Sequence, residues 1–469
     1  MSWTRRAGRS VGVLAGLAVP VAFACIAAFA GVAAAHDVGG TRFDSPIPLA
    51  VLFVGAGATV GLTAAWLGRN GELAPSATRT VGRASPGAMR WLRAAGRVGF
   101  AAAVVFAVVR GLAGRQVAAE NVATVFAWPL WLKGVGLVAM LVGSPWRALS
   151  PWRGVHALLE ALEGGRVALR AYPAAWGVWP AVLGFVALVG VVENLTVIPR
   201  SPRLTAGLVA LYAVVMVLGG VAFGREWFRR ADVFEVLYRQ FGRVAPLRVR
   251  ARDDGYAAET RFPWAGCTTP AVEPGVLTFV VAMVYTVSFD GFTGTPEYQR
   301  LLFVVADALG TGVSTGVLLY VAGLVAFVLG FVGAAAAVER LGGTGASAVS
   351  TARAFAPTVV PIAVAYELAH NYPYVVRNLA QAAELGLRAV GSEATVSLLG
   401  WLSVPVFWGS QVLLIVVGHV AAVVAAHEVA VRRYGTPARA RRAHLPLVAV
   451  MVGYTVLSLW IISRPVVAG

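Results

Sequence analysis

Ten stretches of this chain are each close to the length of about 20 apolar residues that lets a helix cross a hydrocarbon core. They lie near 47–67, 97–113, 123–143, 176–195, 204–223, 275–290, 313–337, 355–376, 403–429 and 445–463. The expected fold class is therefore all-α, a polytopic transmembrane helix bundle of ten to eleven spans. A hydrophobic fraction of 58% against 13% charged residues agrees with that expectation.

The eleventh span depends on the N-terminus. Residues 1–35 begin MSWTRRAGRS and continue as an apolar run from Val11 to Ala35. The basic start and the closing Ala33-Ala34-Ala35 fit a signal peptide, but the run exceeds the usual apolar core of about 7–15 residues. A signal peptide and an N-terminal anchor helix both remain open. Residues 36–469 read as a single multi-span membrane domain.

A net charge of +17 would suit a nucleic-acid partner, yet no recognition motif accompanies it, and no nucleic acid is expected. Lys133 is the one lysine among 39 basic residues. The arginines fall unevenly: 29 belong to the N-terminal tail and to loops 69–97, 144–175, 225–274, 338–354 and 431–444, and nine to the opposite loops and ends. The positive-inside tendency places the arginine-rich loops in the cytoplasm of a multi-pass plasma-membrane protein. The His36 segment and the C-terminus then face outward. Loop 225–274 reads as a cytoplasmic cap or interfacial helix. Residues 301–310 suit a re-entrant or interfacial helix. In SPWRALSPWR, at 144–153, the two tryptophans read as headgroup anchors beside arginine. Cys25 and Cys267 support neither a disulfide nor a cysteine metal site.

Ionisable residues within apolar helices are costly and mark function. The stretch FAPTVVPIAVAYELAHNYPYVVR, 355–377, places Tyr366, Glu367, His370 and Asn371 within two turns. Glu367 and His370 share a helix face, as catalytic acid–base residues, as metal ligands or as a structural hydrogen-bonded pair. Glu193, Asp290 and His36 are expected at similar outer depth, which makes His36, Glu193, Asp290, Glu367 and His370 the candidate metal ligands. Imidazole with carboxylate suits zinc, iron, manganese or copper. Cleavage after Ala35 would also give His36 a free amine for copper chelation. Lys133, in WPLWLKGVGLV, requires a carboxylate partner or a lowered pKa, with Glu193 and Glu367 the candidate partners. His419 suits a proton relay or packing, whereas His427 suits the interface beside Glu428. His156 and His444 fall in loops. No Walker loop, GxSxG elbow or HExxH helix is present.

Several stretches resemble a family of bacterial and archaeal polytopic membrane proteins, some of which carry the label fenitrothion hydrolase. They are AHDVGGTRFDSPIPL at 35–49, SPWRALSPWRG at 144–154, FGREW at 223–227, SFDGF at 288–292, FAPTVVPIAVAYELAHNY at 355–372 and GHVAAVVAAHE at 418–428. The resemblance implies metal-assisted hydrolysis of a small apolar or phosphotriester-like substrate at the outer face. Lys133 departs from it, since an apolar residue is expected there. The residues also suit a transporter whose path is lined by Lys133, Glu367, His370 and His419, or an assembly subunit with a partner and no chemistry. In each reading the bilayer is a partner.

Overall fold

The computed structural model describes residues 48–70, 78–312 and 314–464. The signal or anchor segment 1–35, Cys25 and His36 lie outside these residues. Among those described, ten helices are long and apolar enough to cross a membrane. They are α1 (Leu49–Asn70), α2 (Pro86–Ala113), α3 (Val122–Val142), α5 (Ala174–Glu193), α6 (Pro202–Phe223), α9 (Pro274–Thr293), α11 (Ser314–Gly342), α12 (Ala348–Ala389), α13 (Val404–Tyr434) and α14 (Pro437–Ile462). The shorter helices are α4 (Pro151–Glu163), α7 (Arg225–Arg230), α8 (Val233–Phe241) and α10 (Pro296–Leu309). The chain forms an all-α bundle, as its apolar runs require.

Several helices start the same way. Pro86, Pro202, Pro274, Pro296 and Pro437 occupy first-turn positions, where no intrahelical amide bond is lost. Ser85 caps α2 by accepting from Ala88 N at 3.1 Å, and Thr295 caps α10 by accepting from Tyr298 N at 3.2 Å. The short apolar run at 97–113 is the second half of a 28-residue helix whose first turns carry arginine. Residues 301–309 belong to α10, a 14-residue helix closed by Gly310, with Phe303 and Val304 exposed and Tyr298 buried. At 1.5 Å per residue it covers about 21 Å, too short to cross.

The segment 225–274 carries more structure than a cap or an interfacial helix. It holds α7, α8 and the hairpin β2 (Leu247–Arg252) and β3 (Gly255–Thr260). Strand β1 (Arg79–Ala84), from the loop before α2, completes an antiparallel sheet of order β1-β3-β2. Arg252 pairs with Gly255, so Asp253 and Asp254 form a two-residue turn, and Gly255 takes a positive φ of 143° that favours glycine.

The SPWR repeat is not an interface anchor. Trp146 and Trp152 are 0% and 1% exposed. Both indoles donate to Asp232 Oδ2, at 2.9 and 2.7 Å, and Tyr212 OH donates to Oδ1 at 3.0 Å. The following arginines reach Glu235 in the same paired manner, Arg147 at 3.0 Å and Arg153 at 3.4 Å. Asp232 also caps α8, accepting from Phe234 N at 3.0 Å. A spacing of six thus serves two acids three residues apart at one helix start. Burial pushes the Asp232 carboxyl above its ordinary range, and the two indole donors act against that shift.

His427 and His444 also differ from their sequence assignments. His444 lies within α14 rather than in a loop, and both imidazoles are 1% exposed with ring centroids 5.4 Å apart.

Candidate functional site

Three helices depart from α geometry near the acidic and basic side chains of the bundle interior. In α3 the turn widens to a π-helix over Phe126–Val135, and in α5 over Val186–Glu193. Helix α12 narrows to a 3₁₀ turn at Ala356–Val359 before continuing as an α-helix from Val360. Pro129 and Pro357 lie in these distorted stretches, where proline removes backbone donors. Other side chains take up part of the altered backbone bonding. Tyr238 OH donates to Trp131 O at 2.8 Å, and Asn194 Nδ2 donates to Val189 O at 2.7 Å. π-Turns are rare and concentrate at functional sites.

The π-helix of α3 carries Lys133, the π-helix of α5 ends on Glu193, and Glu367 follows the 3₁₀ turn of α12. Their side chains meet. Lys133 Nζ lies 3.0 Å from Glu193 Oε1 and 3.3 Å from Glu367 Oε1. These are the two partners that the sequence offered for the lysine. The lysine and Glu367 side chains are each 7% exposed. Asp290, Asn194 and Thr286 join them around a cavity of about 20 Å³, about the space of one water molecule. Glu193 Oε2 is buried without a hydrogen-bond partner in the protein. Thr286 Oγ1 lies 2.7 Å from Tyr320 OH. Gly190, in the π-helix, faces that tyrosine so closely that a Cβ would overlap its ring. Gly190→Ala is expected to push Tyr320 off Thr286 and lower thermal stability by about 1–3 kcal/mol, as overpacking does; an unchanged melting temperature would refute this.

Residue His370 lies one turn beyond Glu367 and turns to a different partner. Its Nε2 is 3.9 Å from Asp290 Oδ2, and its ring lies 6.1 Å from that of Tyr366. With side chains 40% and 33% exposed, His370 and Asp290 form the open rim of the buried cluster. His419 stands apart from them. It is buried on α13, with Nδ1 2.8 Å from Ile415 O and its ring 6.0 Å from that of Tyr454.

Of the expected metal set, His36 lies outside the described residues. Among the described residues no group of three or more His, Cys, Asp or Glu is placed to hold a metal ion. The point between Glu193 and Glu367 is filled by the Lys133 ammonium. His370 and Asp290 make a two-member pair. Asn194, Thr286 and Tyr238 carry no charge and drew no notice in the sequence, although Asn194 directly follows Glu193 in VVENL.

No protein-family profile matches this chain, and neither a curated protein nor a solved structure matches it. The class defined by the helices is that of a multi-pass integral membrane protein.

Proposed function

We propose that this protein is a membrane transporter and that Lys133, Glu193 and Glu367 form the centre of its translocation path. The observation that carries this reading is an ammonium held between two buried carboxylates, with Lys133 and Glu193 in π-helical turns of their helices. Charged groups at membrane depth cost about 2.5–3.5 kcal/mol each on insertion scales, and they mark ion and substrate routes. Broken helices at membrane depth serve the same purpose in transporters. Two carboxylates against one ammonium, with Asp290 beside them, leave an excess of negative charge. That excess favours a small cation, a proton included, as cargo or coupling ion. By the positive-inside rule the sheet side faces the cytoplasm and the His370–Asp290 rim faces outward.

Val287 lines the cavity and offers a test. A Val287→Cys variant with Cys25 replaced is treated with a membrane-impermeant maleimide from either face of oriented vesicles. Cys267 can remain, because burial pushes its thiol up to about 12 and leaves it fully enclosed. Alternating access predicts labelling from both faces. Labelling from the outer face alone would remove the transport reading.

The His370–Asp290 pair favours a second reading, the outer-face hydrolase implied by the family resemblance. A histidine oriented by a carboxylate is a competent general base. Turnover of an aryl phosphotriester by the purified protein, abolished in His370→Gln, would put that reading first.

A further inference from the structure

We propose that the face of the small sheet formed by Arg83, Arg248, Arg250 and Arg252 binds the anionic headgroups of the adjacent phospholipid leaflet. This inference is independent of the transport reading. In the register of the sheet, Arg83 and Arg250 both pair with Ala257, and Arg248 pairs with Glu259. Directly paired residues share a face and strand residues two apart share it too, so the four arginines project together. Beneath them Ala257 and Glu259 are buried, at 5% and 4% exposure. Glu259 accepts from Arg252 and lies 3.6 Å from Arg250. The contact of Arg83 with Asp254, at 3.2 Å, joins side chains 77% and 69% exposed. Such a bridge is weak and leaves Arg83 available.

Beside this face a groove of about 640 Å³ is lined by Arg83, Arg252 and Tyr256, with Asp253 and Asp254 of the turn at its end. The bilayer lies close by, because β1 ends one residue before Ser85 caps α2. At 1.5 Å per residue, the 28 residues of α2 cover about 42 Å against a hydrocarbon core of about 30 Å. Its first turns therefore stand in the headgroup layer. There Trp91 and Leu92 are 79% and 68% exposed, with Arg90 and Arg93 on either side. Exposed tryptophan next to arginine at this depth is the usual signature of the interface. On the opposite face of the sheet, Arg93 is fixed over the Tyr256 ring at 4.7 Å and donates to its hydroxyl at 3.0 Å, which holds the sheet at the level of the helix start. Guanidinium groups clustered at that level match the geometry of lipid phosphate.

The test uses the full chain in nanodiscs of neutral phosphatidylcholine containing a minor fraction of phosphatidylglycerol. Lipid retained by the protein is counted by native mass spectrometry. Wild type is expected to enrich phosphatidylglycerol. Removal of each arginine should lower the enrichment on the order of fivefold, the equivalent of about 1 kcal/mol per charge near a surface. Arg83→Gln and Arg250→Gln are the first variants, and Arg83→Lys, which keeps the charge, should keep most of the enrichment. Arg388→Gln, on the opposite side of the bundle, should leave it unchanged. Equal enrichment in wild type and the Arg83→Gln/Arg250→Gln protein would overturn the proposal, as would an equal loss in Arg388→Gln. If the double variant does not fold, each single variant carries the same comparison. Inorganic phosphate added to neutral nanodiscs separates the leaflet from a soluble anion: stabilisation by phosphate matching that by phosphatidylglycerol would show an anion site and not a lipid site.

Discussion

Replacing Lys133 with methionine is expected to cost about 3–5 kcal/mol of stability, the typical penalty for removing one partner of a buried charge pair. Methionine fills much of the same volume, so the loss comes from electrostatics and not from a cavity. Glu193 and Glu367 would face each other without their shared ammonium, beside the carboxylate of Asp290. The further change to Glu193→Gln and Glu367→Gln should restore most of the loss, because a neutral set leaves no charge uncompensated. Equilibrium unfolding in mixed detergent micelles measures both steps. A Lys133→Met protein as stable as wild type would show that the lysine is not bound to these carboxylates. A triple variant no better than the single one would assign the cost to packing.

The second large effect is expected at Asp232. Asp232→Ala leaves the buried indoles of Trp146 and Trp152 without an acceptor and removes the cap of α8. Each buried donor left unsatisfied costs about 1–3 kcal/mol, so the total loss should reach about 3–5 kcal/mol. Asp232→Asn keeps one carbonyl oxygen and should lose about half of that. Arg147→Gln removes a hydrogen bond from Glu235, whose side chain is 2% exposed and keeps Arg153 at 3.4 Å, and a loss of about 1–3 kcal/mol is expected. A red-shifted tryptophan emission in Asp232→Ala would report opening of the cluster; unchanged emission and stability would contradict the role given to this carboxylate. The effect should extend to the Lys133 site, because Tyr238 of α8 bonds the π-helical backbone two residues before the lysine.

The sequence made the bundle legible because the length and apolarity of a span are local properties. The demand of Lys133 for a carboxylate was equally legible, since the cost of a lone charge in lipid does not depend on the fold. The choice of both Glu193 and Glu367 was not, for their positions follow from helix phase. Regular turns of 3.6 residues describe neither α3 nor α5 at these residues, and a π-turn changes the direction of everything beyond it. Shared depth does not reveal lateral placement, which brings Glu193 and Glu367 around one ammonium. The twin tryptophans misled for a related reason. Trp-Arg at a span end has the same local sequence whether it faces the headgroups or a buried aspartate 80 residues away. Asp232 with Glu235 did offer a signal, an acid at a helix start followed three residues later by glutamate.

The small sheet has a consequence of a different kind. Its order leaves β1 and β2 as edges, and each edge strand presents unpaired amides and carbonyls along its outer side. Such edges invite a second copy to pair and so seed aggregation in a crowded compartment. Here β1 carries Arg79 and Arg83, and β2 carries Arg248, Arg250 and Arg252. Two copies meeting edge to edge would bring like charges together, and β1 is further interrupted by a bulge between Thr80 and Gly82. The arginines and the bulge therefore disfavour pairing of two copies along these edges.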